Sequence, residues 1–351
     1  MKGNILYIGK RIIKPQGGAD QVNLRNLQLL IDIFADGLTI SEPTSDGLMN
    51  KLFLGSTRQN IEAMRKELST GKYDYVFISQ SLLGGMARAV KKEFPTVKVI
   101  TFFHNIEVQY AQSYYHTKGI KALPFFLLVK YWEKVCVDNT DYFITLNSRD
   151  SDLLHEVYGK SSNLELPTSL VDKYSEEDRL QNKEVKGEQI DYLFVGVAFF
   201  ANIHGIQWFI DNVMPKVSGH LWVVGKGMDT VVYKNMSERI HVLGFVDDLS
   251  SYYYQAKCVV SPIFVGGGMK TKTAEALMFG KTIIGTREAF EGYERCSSMI
   301  ECNTKEGFIN SINSIKEMDA SSFSEESRFL FSSTYSYEAL FNRFINWLNT
   351  L

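Results

Sequence analysis

The chain has no apolar run near the roughly 20 residues that a membrane-spanning helix needs, no internal repeat and no low-complexity tract. Only seven of its 351 residues are proline, which leaves little room for long disordered stretches. It also lacks a charge excess: 38 basic and 40 acidic side chains give a formal net charge of −2, which disfavours a DNA or RNA partner. The four cysteines, Cys136, Cys258, Cys296 and Cys302, show neither zinc-type spacing nor a compact disulfide framework. Reduced thiols in a cytoplasmic protein are their simplest reading, with Cys258 a small core residue. Residues 1–18 lack the apolar core of a signal peptide and read as a first β-strand and turn. These absences leave a soluble globular protein, long enough for two domains.

What is present is alternation. Short apolar strands are predicted at 4–9, 73–79, 98–103 and 142–146, separated by helical stretches. The pattern pauses over 161–189, at Pro167 and a charged, strand-free run. A second series follows at 192–195, 221–224, 240–243, 258–261 and 282–284. The fold class is therefore α/β, with two parallel sheets, each covered by helices on both faces. The expected domains are 1–167, a hinge at 168–190, and 191–333. A last helix over 334–351, apolar at Leu340, Phe341, Phe344 and Trp347, is expected to pack back across the two. Ligands of open α/β sheets gather at strand carboxyl ends, so the expected site is a cleft where two such halves face each other.

The most informative stretch is 261–286, SPIFVGGGMKTKTAEALMFGKTIIGT. Gly266, Gly267 and Gly268 let backbone amides approach a ligand closely. The helix that follows offers unpaired N–H groups, and Lys270 and Lys272 add positive charge where an anion would sit. Glu275 lies one turn beyond Lys272 on the same face, suited to sugar hydroxyls more than to phosphate. The combination describes a pocket for a nucleoside diphosphate joined to a polyol. The competing reading is an ordinary strand–helix turn with solvated lysines.

Six segments in order resemble the retaining glycosyltransferases of family four, whose GT-B architecture sets two Rossmann-like domains across a cleft. They are Gly17-Gly18, FFHNIE at 102–107, LFVGVAFFANIHGIQWFI at 193–210, VVGKG at 223–227, HVLGFVDD at 241–248, and the glycine-rich segment itself. The resemblance spans nearly the whole chain. It implies transfer of a sugar from a nucleotide-diphosphate sugar to a glycan, lipid-linked or other hydroxyl acceptor, with retained configuration, in surface polysaccharide or glycoconjugate synthesis. His104, at a strand end, is placed near the transferred sugar, and Lys270 and Lys272 at the leaving diphosphate. The implied donor contacts also include Gly17, Gly18, Asn202, Lys226, Phe245, Val246, Met269, Thr271 and Thr273. For Gly17-Gly18 and for Lys226 two readings stand, ligand contact and plain turn or solvated charge. His116, His155, His204, His220 and His241 are read as structural.

Two departures from the family pattern stand out. Many relatives carry a glutamate eight positions before Glu275, where this chain has Gly267, and a basic pair near the positions of Val197 and Asn202, neither of them basic. Lys270 and Lys272 are expected to take over the phosphate role, with neither cofactor nor metal. Asp150-Ser151-Asp152 has the Asp-x-Asp form of metal-binding transferases but reads as a helix cap, as does Asp247-Asp248. Residues 84–134 carry eight Lys/Arg against three Asp/Glu, with Tyr114, Tyr115, Phe125, Phe126, Tyr131 and Trp132 interleaved. That stretch is either a surface for anionic lipid and a lipid-linked acceptor or a buried helix with solvated lysines. The rival functions are a nucleotide-sugar epimerase or phosphorylase on the same scaffold, and a non-catalytic glycan-binding partner.

Overall fold

A computed structural model describes residues 3–12, 18–44, 47–182, 190–266, 268–315 and 322–351. The chain divides into two compact units, Met1–Pro167 with Phe341–Leu351, and Thr168–Leu340.

The first unit holds a parallel sheet of β1 (Ile5–Ile8), β2 (Leu38–Ser41), β3 (Tyr75–Ile78), β4 (Lys98–Phe103), β5 (Tyr142–Thr145) and β6 (Leu164–Glu165). Their spatial order is β2-β1-β3-β4-β5-β6. The central strands are continuous apolar runs because helices cover both faces, and Ile5, Leu6, Phe77, Ile100 and Phe102 are fully buried. Near the chain's end, Phe344 sets its ring against Phe77 at 6.4 Å and Trp347 against Tyr142 at 5.8 Å, so the last helix, Tyr337–Leu348, helps to close this core.

A carboxylate organises the carboxyl edge of this sheet. Glu133, fully buried on the helix Leu123–Asp138, accepts hydrogen bonds from the Ser81 hydroxyl (2.9 Å), the Glu107 N–H (2.8 Å), the Val108 N–H (2.9 Å) and the Tyr158 hydroxyl (2.8 Å). It thus caps the helix Glu107–Lys118 from a neighbouring element, where the preceding Ile106 offers no side-chain cap. Burial pushes its carboxyl up and the four donors pull it back.

The second unit repeats the plan with β7 (Ile190–Val195), β8 (Leu221–Val224), β9 (Ile240–Leu243), β10 (Ala256–Ser261), β11 (Thr282–Gly285) and β12 (Met299–Glu301), in the order β12-β11-β10-β7-β8-β9. All pairings are parallel. The helix Phe200–Asn212 packs closely on the chain leaving β10, since a Cβ on Gly205 would stand 2.0 Å from the Pro262 carbonyl oxygen. The predicted strands all form. Leu38–Ser41, Leu164–Glu165 and Met299–Glu301 were not anticipated, and all three are sheet edges.

Two capping expectations separate. Asp248 does take the Ser250 N–H (3.0 Å) at the start of Ser250–Gln255. For Ser148–Tyr158 the cap is Asn147, which accepts the Asp150 N–H at 3.0 Å, while Asp150 itself lies inside the first turn. Among the described residues no cluster of three His, Cys, Asp or Glu side chains could hold a metal ion.

Replacing Glu133 with Ala strands two N–H groups and two hydroxyls in the interior, and the expected loss is about 3 kcal/mol or more of stability. Tyr158→Phe removes a single bond and should cost about 1 kcal/mol. Urea unfolding of both variants checks this; equal, negligible losses would contradict the capping role.

Candidate functional site

In each sheet the chain's winding reverses at one place, and there the loops on the two sides part to leave a crevice at the strand carboxyl ends. In the second unit that place lies between β7 and β10. The helices that follow β7 and β10 are joined near their starts, where Lys272 Nζ donates to Asn202 Oδ1 at 2.6 Å, and Asn202 Nδ2 donates to the Val197 carbonyl at 2.8 Å. Gly196 makes room for them, because a Cβ there would meet Lys272 Nζ at 3.0 Å and Asn202 Nδ2 at 2.8 Å. The ammonium also sits 4.2 Å from the Phe194 ring centroid.

Lys272 is only 9% exposed. Burial pulls its pKa down to about 7, with Glu275 opposing the shift and Lys270 adding to it. Glu275, one turn on, is half-buried and accepts the Tyr253 hydroxyl through Oε2 at 2.9 Å. Burial pushes its carboxyl up, while the Tyr253 bond and the Lys272 charge draw it down. Lys270 precedes the helix Thr271–Met278. Its Nζ donates to the Gly268 carbonyl and to Glu288 Oε1, both at 2.7 Å, and Tyr293 donates its hydroxyl to the Lys270 carbonyl at 2.8 Å. Gly268 has φ +64°, the left-handed conformation that lets the turn feed the helix.

The structure therefore brings Gly266, Gly268, Lys270, Thr271, Lys272, Glu275 and Asn202 together around one helix start. Lys226, Phe245 and Val246 lie on the loops after β8 and β9, at the same edge of the sheet, with Lys226 exposed and Phe245 70% exposed. Met269 is buried. Thr273 corrects the expectation of a ligand contact: it is fully buried and donates to the Ala289 carbonyl at 2.8 Å, so it anchors the helix from behind. Gly17 and Gly267 lie outside the described residues. Glu288 was missed, since it lies 18 positions from its partner Lys270 and outside any glycine-rich pattern.

In the first unit the reversal lies between β1 and β3. A cavity of about 190 Å³ opens there, lined by Lys10, Thr44, Asn50 and Gln80 among others. Gly18 begins the helix Gly18–Phe34 after β1. His104, directly after β4, places Nε2 2.9 Å from Asn23 Oδ1 and 3.0 Å from the Ser79 carbonyl, which makes Nε2–H the donor. Its Nδ1 is buried without a partner. Burial pushes the His104 pKa down to about 4, so the ring is neutral near pH 7. Next to it, burial and the Glu133 charge push Glu107 up to about 7.

Comparisons with known proteins decide what this frame belongs to. Residues 189–317 match the family described as Glycosyl transferases group 1. The chain carries a glycosyl transferases group 1 domain. The fold is of GT-B type, with two Rossmann-like units. Similar solved structures include sucrose-phosphate synthase from Thermosynechococcus elongatus (TM-score 0.72, 16% identity, 99% of each chain covered). HepE of Anabaena in complex with UDP gives TM-score 0.70 at 13% identity, over 99% of this chain and 100% of that one. A glycosyltransferase from Rickettsia africae gives 0.66 at 14%, over 98% and 97%. At these identities the likeness is one of fold. No curated protein sequence matches this chain significantly.

Because Lys272 is half-deprotonated near pH 7, a diphosphate that pairs with it should bring a proton along at higher pH. Calorimetric titration with UDP at pH 8.5, in two buffers of different ionisation heat, should show uptake of close to one proton. At pH 5.5, below the Lys272 pKa, uptake through this group should vanish, and Lys272→Met should abolish the uptake seen at pH 8.5.

Proposed function

We propose that the protein transfers a glycosyl group from a nucleoside diphosphate sugar, held by the Thr168–Leu340 unit, to a hydroxyl acceptor. The observation that carries this reading is the Lys272–Asn202 bond across the β7/β10 reversal, inside the matched glycosyl transferases group 1 segment. HepE, which shares the fold, binds UDP and UDP-glucose, and this supports the same ligand class here.

Cleavage of the anomeric C–O bond leaves negative charge growing on the departing phosphate. Lys272, Lys270 and the first N–H groups of Thr271–Met278 supply the opposing field, already oriented and partly withdrawn from water. This is the work that a divalent cation performs in other transferases, and the proposal includes metal-independent turnover. Glu275, fixed by Tyr253, accepts hydroxyls of the nucleotide ribose and so positions the donor. His104, neutral near pH 7, is assigned to the transferred sugar on the strength of the family resemblance. Retention of anomeric configuration is part of the proposal, on the strength of the family resemblance.

The acceptor is assigned to the first unit, as a glycan or lipid-linked alcohol in glycoconjugate or surface polysaccharide synthesis. The helix Leu123–Asp138 is amphipathic, neither fully buried nor fully open: Val129, Trp132, Cys136 and Val137 face inward, while Phe125, Leu127 and Tyr131 are exposed. Ile120, Tyr110 and Tyr114 extend the exposed apolar set, with Lys118 and Lys121 among them. Such a surface favours peripheral contact with an anionic bilayer on the cytoplasmic side. Among the described residues no helix is long and apolar enough to cross a membrane.

Lys272→Ala should lower kcat/KM by about 10²–10³, and Glu275→Ala should mainly raise KM for the donor. Sugar release from the donor should require an acceptor and persist in excess chelator. Donor conversion without any acceptor, or wild-type rates in Lys272→Ala, would overturn the reading. Vesicle flotation with and without anionic lipid tests the surface, with Ile120→Glu expected to abolish binding while leaving donor affinity unchanged.

A further inference from the structure

Glu288 opens the short turn Glu288–Phe290 that follows β11, and nothing above gives it a task beyond its bond to Lys270. Its Oε1 accepts Lys270 Nζ at 2.7 Å, and a Cβ on Gly266 would stand 3.3 Å from that same oxygen. The carboxylate therefore lies against the glycine turn, level with the cation that closes it. The side chain remains 23% exposed, and Oε2 has no hydrogen-bond partner among the described residues.

Two properties bear on what meets that free oxygen. An ionised carboxylate repels phosphate, so Glu288 is no contact for the charged part of the donor. A carboxylate with one oxygen fixed by an ammonium and the other open is a preorganised acceptor for a neutral O–H group. The neutral, hydroxyl-bearing parts of a nucleoside diphosphate sugar are its ribose, already assigned to Glu275, and its glycosyl group. We propose that Glu288 binds hydroxyls of the transferred sugar through Oε2 while Oε1 holds Lys270 in place, which makes Glu288 a determinant of donor-sugar choice. The inference rests on the donor reading of this site. It adds a carboxylate from the far side of β11 that the glycine-rich motif does not contain.

The test uses the full chain and calorimetric titration. UDP, GDP, ADP and dTDP are titrated first, then UDP-glucose, UDP-galactose, UDP-N-acetylglucosamine, GDP-mannose, ADP-glucose and dTDP-glucose, to find the pair that wild type binds best. Glu288→Gln keeps an oxygen for Lys270 and removes one negative charge. It should bind the bare nucleoside diphosphate as tightly as wild type or more tightly. Its affinity for the nucleotide sugar should fall relative to the diphosphate by about tenfold or more, with the preference among sugars flattened. Glu288→Asp should recover part of that preference. Equal weakening of both ligands would make Glu288 only a brace for Lys270, and no change in either would make it a bystander; each overturns the inference while the donor site stands. Failure of wild type to bind any of these nucleotides would overturn the donor site itself and the inference with it. Melting temperatures of both variants, expected within a few degrees of wild type, separate these outcomes from misfolding.

Discussion

The second unit depends on an ammonium group held where water is scarce. Drawing the Lys272 pKa from 10.5 to about 7 corresponds to on the order of 5 kcal/mol of lost preference for the charged form. Asn202 and the Phe194 ring offset part of that loss but bring no full negative charge. Glu275 acts from one turn away and is occupied by Tyr253. A charge so poorly compensated is a liability in the empty protein and an asset once an anion arrives, because the anion restores what burial removed. The bond to Asn202 gives that charge a fixed address at the reversal of the sheet.

The two lysines are not equivalent. Lys270 is neutralised by Glu288 and tied to the Gly268 carbonyl, so it shapes the turn as much as it charges it. Lys272 meets the neutral Asn202 oxygen and the Phe194 ring at close range, and the larger share of the field at the helix start is its own. Sequence spacing alone cannot rank them, since both stand in the same first turn. The ranking comes from Glu288, which the chain delivers from the next strand.

What could be read in the sequence follows from burial. Strands such as 98–103 and 221–224 are buried on both faces, so their apolar runs are continuous and their limits match the structure. Leu38–Ser41, with Ile40 exposed, and the two-residue Leu164–Glu165 are edges with one flank open, and edges need no such run. At the site, the glycine turn and its lysines were legible because backbone geometry and charge are local properties. The inward turn of Thr273 and the reach of Glu133 to Glu107 and Val108 were not, because each depends on a partner that folding brings near.

Gly196 shows how little freedom this arrangement leaves to mutation. A methyl group there would press on the ends of the Asn202 and Lys272 side chains and displace the bond between them. Positions 196, 202 and 272 are thus coupled, since a larger residue at 196 keeps the bond only if the other two shift. Descendants of this chain would be expected to keep all three or to exchange them as a set, so co-variation of the trio would trace the anion cradle through lineages even where the surrounding sequence has diverged beyond alignment.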